Sequence, residues 1–101
     1  MICDLGDGAM YYETFGNGRP MMMLPGRPSD HRVMERFMEP VFTRREGWLR
    51  IYPDLPGTGR TPSVDRLATH DAMLEAVLAF IDKVIPGQRF VLAGLSYGGY
   101  L

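Results

Sequence analysis

Apolar residues along the chain occur either in short runs or in longer stretches with helical spacing. The short runs, which Gly and Pro punctuate, predict β-strands at residues 10–15, 21–24, 49–52 and 90–93. The last run has no polar alternation, as expected for a parallel strand that is covered on both faces. The order of strands and helices therefore predicts an α/β fold, with a mostly parallel sheet and helices on both faces.

Two segments place their apolar residues on one face of a helix. Ser29 or Asp30 can cap the first, and Pro40 is expected to end or kink it. Thr69 is the predicted cap of the second, which ends before Pro86. The apolar positions of the first helix are Val33, Met34, Phe37, Met38 and Val41, and those of the second are Met73, Leu74, Val77, Leu78, Ile81 and Val84.

Length and charge restrict the class of protein. The chain has 101 residues, room for one small domain. Its 11 Lys and Arg are scattered among 12 Asp and Glu, so no nucleic-acid surface is indicated. No apolar run is long enough to span a bilayer, and residues 1–10 lack the features of a secretory signal. Because Cys3 is the only cysteine, we expect a cytoplasmic protein in which this thiol, near a frayed terminus, is incidental.

A G-x-S-x-G sequence, Gly94-Leu95-Ser96-Tyr97-Gly98, directly follows the last predicted strand, where a helix should begin. This placement predicts a sharp turn that exposes the Ser96 hydroxyl, because larger residues than Gly94 and Gly98 would clash across it. The alternative is a Gly-rich turn with an ordinary serine, and the strand in front of the motif disfavours it. Ser96 is therefore the predicted nucleophile.

A second loop, Leu24-Pro25-Gly26-Arg27-Pro28, joins a predicted strand to the first helix and is expected to lie beside Ser96. Attack on an acyl carbonyl puts negative charge on its oxygen, and two backbone N–H groups can stabilise that charge. The N–H of Tyr97, next after the serine, is one predicted donor. Since proline has no N–H, Gly26 and Arg27 remain in the upstream loop, and we favour Arg27.

Three motifs in this order resemble the α/β-hydrolase superfamily. Pro25-Gly26 stands where the family typically has His-Gly, and residues 54–61 are similar to its Asp-x-x-Gly-x-Gly-x-Ser loop, with Thr61 in place of serine. The serine elbow is the third. The resemblance implies a hydrolase of ester, amide or related acyl compounds that forms a covalent acyl-enzyme at Ser96. It implies a small-molecule acyl substrate, and neither a cofactor nor a metal.

The middle motif allows two other interpretations. We interpret Asp54 and the glycines at positions 57 and 59 as a tight surface turn without a catalytic role. A phosphate-binding loop is disfavoured because Pro62 follows where a helix should start.

The groups that would activate Ser96 are absent from the sequence. In this superfamily an acid and then a histidine follow the serine, and neither residue type occurs after Ser96 here. His31 and His70 precede it at predicted helix starts and are interpreted as solvated or capping residues, although His31 could border the pocket.

We therefore expect residues 1–101 to form the N-terminal half of a single α/β-hydrolase domain, incomplete at its C-terminus, truncated after the nucleophile elbow and inactive alone. Its last strand would present an uncovered sheet edge that favours self-association. The alternative is a non-catalytic hydrolase-like fragment or a binding module.

Overall fold

The computed structural model of the chain describes residues 1–6, 8–26, 29–61 and 69–101. The strands are β1 (Ile2–Asp4), β2 (Ala9–Phe15), β3 (Arg19–Leu24), β4 (Trp48–Pro53) and β5 (Val91–Gly94). The helices are α1 (His31–Met38), α2 (His70–Val84) and α3 (Tyr97–Tyr100), and a 3₁₀ helix (Glu39–Phe42) follows α1.

The strands form one sheet in the order β1-β2-β4-β3-β5. The two strands beside β3 run parallel to it, with Met21 opposite Arg50 on β4 and Leu24 opposite Gly94 on β5. The N-terminal strands extend the sheet by antiparallel pairing of β1 with β2 and of β2 with β4. The predicted parallel pairing is thus found in β3, β4 and β5, and β5 leads directly to the serine motif.

Helices cover both faces of the sheet, as predicted. Met22 and Met23 are fully buried and, as neighbours on β3, point to opposite faces. Met22 packs in a cluster with α2 residues such as Phe80, whereas Met23 packs with Met34 of α1 and with Phe42. This arrangement places β3 at the centre of the core, and a loop follows its carboxyl end.

The helix starts follow the predicted caps. The Asp30 side chain accepts a hydrogen bond from Arg32 N at 2.9 Å, and the Thr69 hydroxyl accepts one from Ala72 N at 3.1 Å. Pro40 lies in the first turn of the 3₁₀ helix, where the backbone leaves the α-helical path. The segment after Leu24 therefore ends at a well-defined helix start.

The apolar face predicted for α1 is partly wrong. Phe37 and Val41 are 67% and 50% exposed, because the face that packs on the sheet follows His31, Met34 and Met38 instead. The prediction treated His31 as a polar residue, so the predicted buried face was rotated about the helix axis relative to the observed one.

The N-terminus around Cys3 is not frayed, contrary to the expectation from the sequence. Cys3 is buried within β1, a strand too short to leave a recognisable pattern in the sequence.

The last strand lies at an edge of the sheet and is poorly covered. Val91 and Leu92 are 41% and 54% exposed, and Leu78 on α2 is also exposed. This agrees with the uncovered apolar surface expected from the sequence. In the described part of the chain, no helix combines the length and the apolar character needed to cross a membrane.

Candidate active site

Ser96 occupies a sharp turn between β5 and α3. Its backbone has φ 53° and ψ −109°, and it is the one residue other than glycine with positive φ in the described part of the chain. Such a conformation costs on the order of 1–3 kcal/mol and persists only when the surroundings hold it. Ser96 is exposed, and its side chain makes no capping hydrogen bond to α3. The predicted strand-turn-helix geometry is therefore present.

Glycines make this turn sterically feasible. A Cβ atom on Gly94 would lie 2.6 Å from the backbone nitrogen of Gly99, and one on Gly98 would lie even closer to the backbone oxygen of Leu24. Real Cβ atoms do not approach backbone atoms so closely. The two glycines of the motif are thus required by packing of α3 against β5 and against the end of β3.

The loop after β3 lies against this turn. Leu95 N donates a hydrogen bond to Leu24 O at 3.0 Å, and a Cβ atom on Gly26 would lie 3.3 Å from Ser96 Cβ. Arg27 and Pro28 lie outside the described residues, so the predicted oxyanion donor Arg27 stays a prediction. Tyr97 is the first residue of α3, and the oxyanion role of its N–H also stays a prediction.

His70 begins α2 and is exposed, in agreement with its interpretation from the sequence. Its Nδ1 atom lies 3.0 Å from the Tyr97 hydroxyl, and its ring packs edge-on against Tyr100. The helix after Ser96 is therefore in contact with the start of α2.

His31 and Asp54 form a buried pair that sequence reasoning missed. His31 is 4% exposed and Asp54 is 0% exposed. The prediction that Asp54 lies in a surface turn is therefore wrong. Asp54 Oδ1 accepts a hydrogen bond from His31 N at 2.7 Å and lies 2.8 Å from His31 Nδ1. Its Oδ2 accepts one from Arg60 N at 2.9 Å. Asp54 thus connects the end of β4 to the start of α1, a short distance along the chain from Gly26.

Thr61 completes this connection. Its hydroxyl donates to Asp54 O at 2.8 Å and accepts from Tyr11 N at 2.9 Å. Thr61 is buried, so its hydroxyl satisfies a buried backbone C=O after β4 and a partly buried N–H on β2. Threonine supplies the same hydroxyl as the serine found more often in the resembling motif.

Two further carboxyl groups approach His31 from the other side. Glu13 Oε2 lies 3.3 Å from His31 Nε2 and accepts a hydrogen bond from the Tyr11 hydroxyl at 2.7 Å. That hydrogen bond is the main reason why the pKa of Glu13 is lowered. Burial, together with the hydrogen bond and charge of Glu13, raises the pKa of Glu35 to about 7. The site thus contains a pair of carboxyl groups with opposite pKa shifts.

These side chains include donor types that bind metals. Glu13, His31 and Glu35 bring one potential ligand atom each to within 4.8 Å of one another, as do Asp30, His31 and Asp54. However, both ring nitrogens of His31 already face the carboxylates of Asp54 and Glu13, so we assign no metal ligand here. Neither group could be recognised in the sequence, because each takes one carboxylate from a distant element: Glu13 lies on β2, and Asp54 follows β4.

The sheet has helices on both faces, Ser96 occupies a strained strand-to-helix turn, and the loop after the neighbouring parallel strand lies beside it. These features define the α/β-hydrolase class of proteins. A profile of the alpha/beta hydrolase family matches residues 21–101. The chain therefore belongs to the alpha/beta hydrolase family.

Proteins of similar sequence and structure agree with this assignment. The AB hydrolase superfamily protein YisY of Bacillus subtilis strain 168 is 32% identical over 90 residues, which are 89% of this chain and 32% of YisY. An alpha/beta superfamily hydrolase from Oenococcus oeni PSU-1 is 36% identical with a TM-score of 0.83, over 90% of this chain and 33% of that one. A thermophilic esterase from Thermogutta terrifontis is 28% identical with a TM-score of 0.76, over 92% and 33%. The chain thus spans about a third of the length of these relatives.

Proposed function

We propose that Ser96 is the nucleophile of a hydrolase that cleaves ester, amide or related acyl bonds in small molecules. The observation that carries the proposal is the exposed side chain of Ser96 on a turn with φ 53°, in a member of this family. Similar proteins include the Thermogutta esterase and a proline iminopeptidase-related protein from Thermus thermophilus, 26% identical to this chain with a TM-score of 0.81. Ester and amide cleavage both begin with attack on an acyl carbon.

The reaction would proceed in two steps. The Ser96 oxygen forms a bond to the acyl carbon while its proton passes to a base, and the leaving group departs with a proton. Water then attacks the acyl-enzyme and releases the acid. We propose no base from the described residues, because His31 is held between two carboxylates and the His70 ring contacts the Tyr97 hydroxyl. The 101-residue chain alone should therefore have little activity.

The N–H groups of Tyr97 and Arg27 are proposed to stabilise the oxyanion. Tyr97 follows the nucleophile directly, and Gly26, the neighbour of Arg27, lies against Ser96. Pro25 and Pro28 cannot donate. No cofactor is part of the proposal, and a cytoplasmic location stays a prediction.

A chimera tests the proposal. The segment of the Oenococcus oeni hydrolase that this chain matches would be replaced by the 101 residues, so that they are tested within the longer domain of that hydrolase. We expect a fluorophosphonate probe to label the chimera at Ser96 and to leave the Ser96→Ala chimera and the isolated chain almost unlabelled. The unmodified hydrolase is the positive control. A folded chimera that stays unlabelled while this control reacts would contradict the proposal.

A second candidate function is a non-catalytic module that associates through β5. The exposed Val91 and Leu92 on an edge strand favour it, because such an edge can pair with another chain. Leu92→Glu should shift the isolated chain from larger species towards monomer in sedimentation experiments. Ile2→Glu, on the exposed strand at the opposite edge, is the matched control and should change the distribution less.

A further inference from the structure

Glu13 on β2 and Glu35 on α1 bring their carboxyl groups together between these two elements. One oxygen of each lies within 4.8 Å of the other and of a ring nitrogen of His31. The Oε1 atom of Glu35 is buried and has no hydrogen-bond partner among the described residues. Placing a negative charge on a buried oxygen without a donor is unfavourable. The geometry therefore disfavours two ionised carboxylates at this position.

The surroundings determine which of the two carboxyl groups keeps a proton. Glu13 accepts from the Tyr11 hydroxyl and faces His31, so its negative charge is stabilised. Glu35 has less support, because burial and the charge of Glu13 both favour its neutral form. The titratable or charged groups facing the pair are Tyr11 on β2, His31 on α1, Glu39 on the 3₁₀ helix, Tyr52 on β4 and Arg60 after β4. Asp54 contacts the other ring nitrogen of His31.

We propose that Glu13 and Glu35 share one proton and that this carboxyl pair is a pH-sensitive contact between β2 and α1. With the proton present, the carboxyl of Glu35 donates to the carboxylate of Glu13 and the pair carries one negative charge. Without it, two carboxylates face each other in a partly buried position and repel. The contact is thus favourable at acidic pH and is lost as the pH rises through about 7.

The contact lies on the helix that begins where the loop beside Ser96 ends. His31, the first residue of α1, is bound through its backbone N–H to Asp54, and only a short segment separates it from Gly26. Loosening of α1 above neutral pH should therefore reach this loop. Any effect of this loosening on the reaction at Ser96 rests on the proposed function, whereas the carboxyl pair itself does not.

Carbon NMR of the isolated chain, labelled at glutamate side-chain carboxyls and kept in EDTA, tests the shared proton. We expect the Glu35 signal to titrate near pH 7, well above the ordinary carboxyl range. In Glu13→Gln the Glu35 midpoint should fall by about one pH unit, because a neighbouring charge is removed. A Glu35 midpoint in the ordinary carboxyl range, or one that Glu13→Gln leaves unchanged, would overturn the proposal.

Hydrogen exchange tests the mechanical part. The ratio of exchange protection in α1 to that in α2 should fall severalfold between about pH 6 and pH 8, and it should stay constant in Glu35→Gln. A wild-type ratio that does not change with pH would overturn the coupling to α1. Both measurements are independent of Ser96, so failure of the labelling experiment on the chimera and failure here can be told apart.

Discussion

Replacement of Asp54 tests how the loop beside Ser96 is held. Asp54 is fully buried and accepts hydrogen bonds from the backbone N–H groups of His31 and Arg60, while its Oδ1 also contacts His31 Nδ1. Asp54→Ala leaves these groups without an acceptor, and each buried unpaired donor costs about 1–3 kcal/mol. Two of them belong to buried His31, so the free energy of unfolding should fall by about 3–5 kcal/mol. That is a large part of the roughly 5–15 kcal/mol typical of a domain.

Asp54→Asn is the milder variant and separates charge from shape. The amide keeps one acceptor for His31 but turns an N–H donor towards the N–H of Arg60, and the flipped amide only moves this conflict to His31. We expect a loss of about 1–3 kcal/mol. Asp82→Asn, on the exposed side of α2, is the matched control and should change stability by less than about 0.5 kcal/mol.

Urea unfolding followed by the fluorescence of Trp48, the only tryptophan, measures these differences. The expected order of destabilisation is Asp54→Ala, then Asp54→Asn, then the control. The reasoning would be refuted if Asp54→Ala cost less than about 1 kcal/mol, or if Asp54→Asn behaved like the control. In the chimera, a folded Asp54→Asn variant should also label more slowly at Ser96, because its loop is less firmly held.

Two other substitutions examine the elbow and an ion pair. Gly98→Ala should destabilise the chain by about 1–3 kcal/mol in the same assay, because the new Cβ would overlap the backbone oxygen of Leu24. Gly99→Ala should be nearly neutral, because its Cβ would lie 3.4 Å from the backbone oxygen of Gly94. Equal effects of the two substitutions would contradict the packing argument. Hydrogen bonds from Arg50 lower the pKa of Glu39, so the stability they provide is present at neutral pH and is lost as the pH falls below the ordinary carboxyl range. The stability deficit of Glu39→Gln should accordingly shrink in acid, and a deficit independent of pH in urea titrations would count against this.

The elbow could be predicted from the sequence because most of its causes are local. A strand, two glycines and Ser96 follow one another within a few residues, and the steric requirement at Gly94 comes from the turn itself, whereas the one at Gly98 comes from Leu24 at the end of β3. The caps at Asp30 and Thr69 were predictable for the same reason, since each side chain bonds within its own first turn.

The buried His31–Asp54 pair depends on contacts between distant segments and was not predictable in this way. The two residues are 23 positions apart, and hydropathy patterns place both on the surface. Only the folded sheet shows that β4 ends beside the start of α1. The burial of Cys3 has the same cause, because β1 is stabilised by pairing with β2 rather than by a pattern of its own.

The loop after β3 is the structural link between the strained serine and the buried carboxylate. Strands β3, β4 and β5 are parallel, so their carboxyl ends lie on the same side of the sheet. The segments after Leu24, Pro53 and Gly94 therefore start close to one another. The segment after β5 contacts the loop at Gly26, and the segment after β4 binds its far end through Asp54 and His31. These two contacts hold the loop at its described ends. A substitution at either end should therefore be felt at Ser96, even though Asp54 contributes no group to the proposed chemistry.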